Sequence, residues 1–101
     1  MPKVSIDHKS SLPANDAYSK IKTFFDSDPD IRRLDPKLSC TFTDSSMTGK
    51  ATGSQFKADI AVKGDAAGST VTVIVDLPLL LAPFKGKVQE TIQKKLAKYL
   101  A

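Results

Sequence analysis

Tryptophan is absent from this chain of 101 residues, and histidine and cysteine occur once each, as His8 and Cys40. A single cysteine excludes an intramolecular disulfide and suits a reducing compartment. One histidine and one cysteine also exclude a Cys/His zinc cluster. No apolar run approaches the roughly 20 residues needed to span a bilayer. The longest, residues 77–84, reads LPLLLAPF and contains two prolines. The first residues, MPKVSIDHK, lack the apolar stretch of a secretion signal. The expectation is a soluble, cytoplasmic protein with no transmembrane segment.

The length allows one domain, residues 1–101, with roughly two-thirds of the unfolded surface buried. Its core has to be aliphatic, supplemented by Phe24, Phe25, Phe42, Phe56 and Phe84. The charge is unevenly placed. Residues 1–84 balance ten Lys/Arg against ten Asp, so the net +4 falls wholly on residues 85–101. There Lys85, Lys87, Lys94, Lys95 and Lys98 oppose Glu90 alone. Such segregation points to an anionic surface as a partner.

Hydrophobic periodicity orders the chain. Val4 and Ile6 alternate with Lys3, Ser5 and Asp7, predicting a strand over 3–9. Ser11 stands as N-cap and Pro13 in the first turn of a helix over 13–26, with Ala14, Ala17, Tyr18, Ile21, Phe24 and Phe25 at helical spacing. Residues 31–34 add one turn before Pro36. Leu38, Cys40 and Phe42 alternate in a second strand. Residues 47–52 read as a third strand, weakened by Gly49. Phe56, Ala58, Ile60 and Val62 mark the fourth, and residues 64–68 a hairpin loop. Val71, Val73, Val75 and Leu77 mark the fifth, with Ile74 interrupting its polar side. A last helix starts near 83–85. At 100° per residue from Val88, Ile92, Leu96, Tyr99 and Leu100 share one face, and Lys87, Lys94 and Lys98 the other. The expected fold is α+β, in the order β-α-β-β-β-β-α: four or five antiparallel strands packed against two helices, the C-terminal one long.

Chemical motifs are sparse. His8 reads as a polar strand-end residue, because no second group stands ready for acid–base work. Cys40 shares a face with Leu38 and Phe42 and reads as a buried, inert thiol. Asp26, Asp28 and Asp30 match the opening of a calcium loop, but Ile31 replaces its glycine and Lys37 its final glutamate. A helix-ending acidic turn accounts for them better. The run Gly49-Lys50-Ala51-Thr52 lacks the upstream glycine of a phosphate loop. The lysine stripe has no interleaved aromatics, so specific nucleic-acid binding is not expected. No catalytic, metal or cofactor site emerges, and the chain reads as non-enzymatic.

Two stretches carry a family likeness: the N-terminal strand with His8 leading through Leu12 into an alanine-containing helix, and residues 77–96, LPLLLAPFKGKVQETIQKKL. Together they resemble the polyhydroxyalkanoic acid system proteins, small bacterial proteins associated with polyester storage granules. The acidic, proline-containing segment 26–36 and Pro78 mark a divergent member. The resemblance implies an accessory role in polyhydroxyalkanoate metabolism and a granule or a granule protein as partner, without implying a reaction.

The surface candidates are therefore Leu79, Leu80, Leu81, Phe84, Lys85, Lys87, Lys94 and Lys98. Core packing is expected for most of the apolar ones, because clustered exposed apolar residues are uncommon. Any that stay exposed beside Lys85 and Lys87 would suit a polyester or lipid surface. Two other functions stay open. One is an apolar-ligand binder whose pocket is lined by Phe56, Val71, Val73, Val75, Ile92 and Leu96. The other is a homo-oligomeric interaction module, for instance a homodimer, joined through the last helix's apolar stripe or a sheet edge.

Overall fold

The structure, a computed structural model, describes residues 3–29, 33, 36–54 and 57–100, with residues 79–81 described by backbone only. Its elements follow the expected order. They are β1 (Lys3–Ser10), α1 (Ala14–Ser27), β2 (Ser39–Thr43), β3 (Thr48–Thr52), β4 (Lys57–Asp65), β5 (Gly68–Asp76), a 3-10 helix (Leu79–Phe84) and α2 (Lys85–Tyr99). The fold is α+β, with five antiparallel strands in the spatial order β1-β5-β4-β3-β2. Phe56 and most of the turn expected at 31–34 lie outside the described residues.

Strands β2 to β5 form a meander of consecutive hairpins. Strand β1 pairs with the far side of β5, so β1 and β2 are the two edges. Helix α1 carries the chain from one edge to the other. It packs on β4 and β5, while α2 packs on β1 and meets α1. The two-residue periodicity of the strands makes this arrangement possible, because alternate side chains share one face. Val4, Ile6, Ala51, Ala58, Ile60, Val62, Val71, Val73 and Val75 are buried on the inner face. They meet Ile21, Phe24 and Phe25 from α1 and Ile92 and Leu96 from α2 in one contiguous core. Burial of each large apolar side chain stabilises the fold by about 1.5–3 kcal/mol. Ile74 takes an outward position among the polar residues of β5, as expected, and is 36% exposed.

Local chemistry sets the boundaries. Ser11 does not cap α1. The N-cap is Pro13, whose side chain has no acceptor, and whose carbonyl takes the Ala17 N–H at 3.0 Å. Asp28 ends α1 in extended conformation, as the residue before a proline is driven to do. The β4–β5 hairpin is tighter than expected, with only Ala66 and Ala67 between the strands. Gly68 takes φ +144°, and a Cβ there would meet the Ser10 carbonyl oxygen and the Ser11 backbone. That close approach is locked by hydrogen bonds. The Ser69 hydroxyl donates to the Leu12 carbonyl at 2.8 Å. The buried Ser10 hydroxyl accepts the Leu12 N–H and donates to the Leu100 carbonyl. Gly49 has a packing role too: the Phe42 ring lies where its Cβ would be, a cross-strand cover that offsets glycine's weakness in a strand.

Candidate functional site

Six of the eight candidates, Leu79, Leu80, Leu81, Phe84, Lys85 and Lys87, lie at the corner where the 3-10 helix becomes α2, while Lys94 and Lys98 lie further along α2. Pro78 enters that corner in extended conformation, and Pro83 lies inside the 3-10 segment. Proline cannot donate the backbone hydrogen bond that a longer helix requires, so α2 begins only at Lys85. Leu79, Leu80 and Leu81 contribute backbone to the 3-10 helix; their side chains lie outside the described residues.

Phe84 is the apolar candidate whose side chain is described, and it is not packed into the core. It is 54% exposed, the most exposed large hydrophobic side chain among the described residues. Pro83, Lys85, Gly86 and Lys87 around it are exposed as well. A half-exposed phenyl ring is thus followed in the chain by two exposed lysines. Lys85 and Lys87 also occupy the first turn of α2, where the helix dipole disfavours positive charge by about 0.3–1 kcal/mol each. Folding stability alone does not call for them there.

The basic face continues along α2, with differences in detail. Lys94 pairs with Glu90 at 2.8 Å, the expected i, i+4 bridge. The Lys94 hydrogen bond and charge hold the Glu90 carboxyl below its ordinary pKa, and the same bond raises the Lys94 ammonium. Lys98 is exposed near the C-terminus, where the dipole favours it. Lys95 lies off the basic face. Its Nζ donates to Asp28 Oδ2 at 3.2 Å, and the Tyr99 hydroxyl donates to the same oxygen at 2.8 Å. The Asp28 side chain is only 1% exposed. Asp28 is therefore an internal joint between the two helices. A sequence signal for this existed: by helical geometry Lys95 and Tyr99 both fall about 20° from Val88, within the apolar stripe. A charge in that stripe needs a buried counter-charge.

A second polar cluster joins α1 to the β2–β3 turn. The Tyr18 hydroxyl donates to Asp44 Oδ1 at 2.6 Å, and Lys22 donates to the same oxygen at 3.2 Å. The Lys22 ammonium also stands 5.5 Å from the centroid of the Tyr18 ring, and Phe42 meets that ring edge-on. Burial, then the bond to Asp44, pushes the Tyr18 hydroxyl up to about 12. The bonds from Tyr18 and Lys22 hold the Asp44 carboxyl below its ordinary range. The turn closes with Met47 in left-handed conformation, φ 51°.

The remaining candidates separate in space. His8 is half-buried on the inner face of β1, opposite Val71. Cys40 is half-buried rather than buried, and its thiol donates to the Phe25 carbonyl at 3.7 Å. They stand on opposite edges of a five-stranded sheet, about 19 Å across at the usual strand spacing, and are further offset by four residues along the strands, too far to act as a pair. Among the described residues, no cluster of three or more His, Cys, Asp or Glu is placed to hold a metal. No described helix is long and apolar enough to cross a membrane.

The lining named for an apolar ligand is occupied otherwise. Val71, Val73, Val75, Ile92 and Leu96 are members of the closed core, and Phe56 lies outside the described residues. The apolar stripe of α2 faces that core as well, with Ile92, Leu96 and Leu100 buried.

The fold recurs in solved structures. The protein TTHA0849 from Thermus thermophilus superposes with a TM-score of 0.63 at 11% identity, over 98% of this chain and 94% of its own. Protein CV1439 from Chromobacterium violaceum gives 0.55 at 10% identity, over 100% and 96%. The structure of Ara h 8.0201 gives 0.55 at 12%, over 98% and 97%. Identities this low show a shared fold alone. No curated protein matches the chain. A family model described as "Putative polyhydroxyalkanoic acid system protein" matches residues 4–100.

Proposed function

The chain belongs to this family of polyhydroxyalkanoic acid system proteins, and from that membership we propose a non-enzymatic accessory protein of storage-polyester metabolism. In this reading it is cytoplasmic and meets the granule surface through the corner of residues 79–87. The observation that carries it is the exposure of Phe84 between the exposed Pro83 and the exposed Lys85 and Lys87. A ring that enters an apolar phase gains the transfer free energy it forgoes in water, about 1.5–3 kcal/mol for a phenylalanine. Lysines beside it meet the anionic boundary of a coated granule, as basic residues flank inserted apolar groups at lipid interfaces. Lys98 and the Lys94–Glu90 pair extend the same polar face. Leu79, Leu80 and Leu81 belong to the proposed contact by position in the chain.

Co-sedimentation with amorphous polyhydroxyalkanoate granules at low and high salt tests this. Phe84→Ser is expected to weaken partitioning about tenfold or more, at either salt concentration. Lys85→Glu with Lys87→Glu is expected to weaken it at low salt only, because screening removes the electrostatic part. Unchanged partitioning of both variants, with far-UV circular dichroism intact, would refute contact through this corner.

A further inference from the structure

The outer face of the sheet offers a second, chemically different surface. Both helices pack on the inner face, and among the described residues the outward side chains are exposed or half-buried. Strand register places Thr72, Ala61, Thr48 and Thr43 in one row across four strands. Ile74 and Thr41 belong to the adjacent row, with Asp59 and Lys50 between them. A groove of about 350 Å³ follows these rows. Its depth has a simple origin: the short Ala61 side chain sits among larger neighbours. Its volume is at the lower end of the roughly 300–1,000 Å³ of ligand pockets.

The lining restricts what can lie there. Asp59 and Lys50 stand directly opposite each other, so the groove carries no surplus charge for an anion. It has no aromatic ring on which a base or sugar could stack. Besides that balanced pair, it offers methyl groups and hydroxyls. The Thr72 hydroxyl is bound to Asp7 and that of Thr48 shares a bond with Ser46. Among the described residues, no protein group bonds the hydroxyls of Thr41 and Thr43. Two donors and a methyl-lined floor suit an uncharged chain that has only acceptors and carries alkyl groups. A polyester is such a chain, with carbonyl acceptors and no donor.

We infer that this groove seats a short stretch of polyester, with Thr41 and Thr43 donating to ester carbonyls and Ala61 and Ile74 holding alkyl side groups. The inference rests on the polyester reading above and adds a contact separate from residues 79–87. It gives the protein two modes: a ring-and-lysine corner for a surface, and a groove for a single chain.

The test is a ¹⁵N-correlation NMR titration of the full chain with an end-capped, uncharged oligoester of 3-hydroxybutyric acid. Saturable shifts are expected at Thr41, Thr43, Ala61, Thr72 and Ile74. Ala61→Arg, which fills the groove from the solvent side, should abolish them. Thr41→Val with Thr43→Val keeps shape and strand propensity and should weaken binding about tenfold through two lost hydrogen bonds. This pair also carries the test if the arginine variant fails to fold. Absence of shifts, shifts confined to residues 84–87, or undiminished affinity in the folded variants would overturn the inference. Granule co-sedimentation in parallel separates the two proposals. If granules bind and the groove stays silent, the groove falls and the surface reading stands. If the oligoester fills the groove and granules do not bind, the reverse holds.

Discussion

Replacing Lys95 with methionine isolates the ion pair that joins the two helices. Lys95 Nζ stands 3.2 Å from Asp28 Oδ2, with side-chain exposures of 19% and 1%. At that distance the attraction is about 5 kcal/mol for an effective dielectric near 20. Desolvation of the carboxylate offsets several kcal/mol of it. Methionine keeps most of the aliphatic stem against the core and removes the charge, so the carboxylate stays buried without its lysine. Losing one partner of a buried pair costs about 3–5 kcal/mol. Lys95 retains some contact with water, which places the expected loss near the lower end, about 3 kcal/mol. Against a total stability of about 5–15 kcal/mol this is large, and it should lower Tm by more than about 10 °C. Asp28→Asn should cost less, about 1–2 kcal/mol, because the amide oxygen still accepts from Tyr99 and the lysine can swing toward solvent. The double variant Asp28→Asn with Lys95→Met removes both charges, keeps an acceptor for the Tyr99 hydroxyl and should cost clearly less than the two single variants together. Urea denaturation followed by far-UV circular dichroism measures all three, since no tryptophan is present to report. Losses below about 0.5 kcal/mol in both single variants, or a double variant equal to their sum, would refute the assignment of a coupled buried pair.

Two further outcomes are expected. Gly68→Ala should destabilise the fold by at least about 1–3 kcal/mol, because φ +144° is strained for any Cβ and the added methyl meets the backbone of Ser10 and Ser11; an unchanged urea midpoint would contradict it. Tyr18 gives a pH signature. Its folded pKa, about 12, lies above the ordinary 10.0, so its contribution is fully present below pH 10 and is lost as pH rises toward 12. The alkaline loss of stability should therefore be shallower in Tyr18→Phe, and identical slopes in the two proteins would sink the reading.

Much of the architecture was legible from side-chain periods. Alternation in residues 71–77 located β5, and helical spacing from Tyr18 to Phe25 located α1, because each pattern buries one face of one element. The two-faced last helix was equally plain, and so was the Lys94–Glu90 pair, which spans a single turn. Errors arose where local pattern gave no weight to a distant neighbour. Ser11 had the chemistry of a cap, yet the Ser10–Leu12–Ser69 hydrogen bonds draw that turn into the sheet instead. Gly49 weakened β3 on propensity, yet the Phe42 ring across the strand pair covers it.

The sequence by itself determined the strands and the two long helices, their order, the antiparallel pairing of the hairpins and the charge segregation, since each is a property of neighbouring residues. Only the tertiary structure decided what each exceptional residue faces. It turned Asp28 inward to Lys95 and Tyr99, left Phe84 in solvent, placed His8 and Cys40 on opposite edges and aligned Thr43, Thr48 and Thr72 into one row. These outcomes depend on which elements meet across long stretches of chain. A one-dimensional period specifies the face of an element, not the partner that face will find.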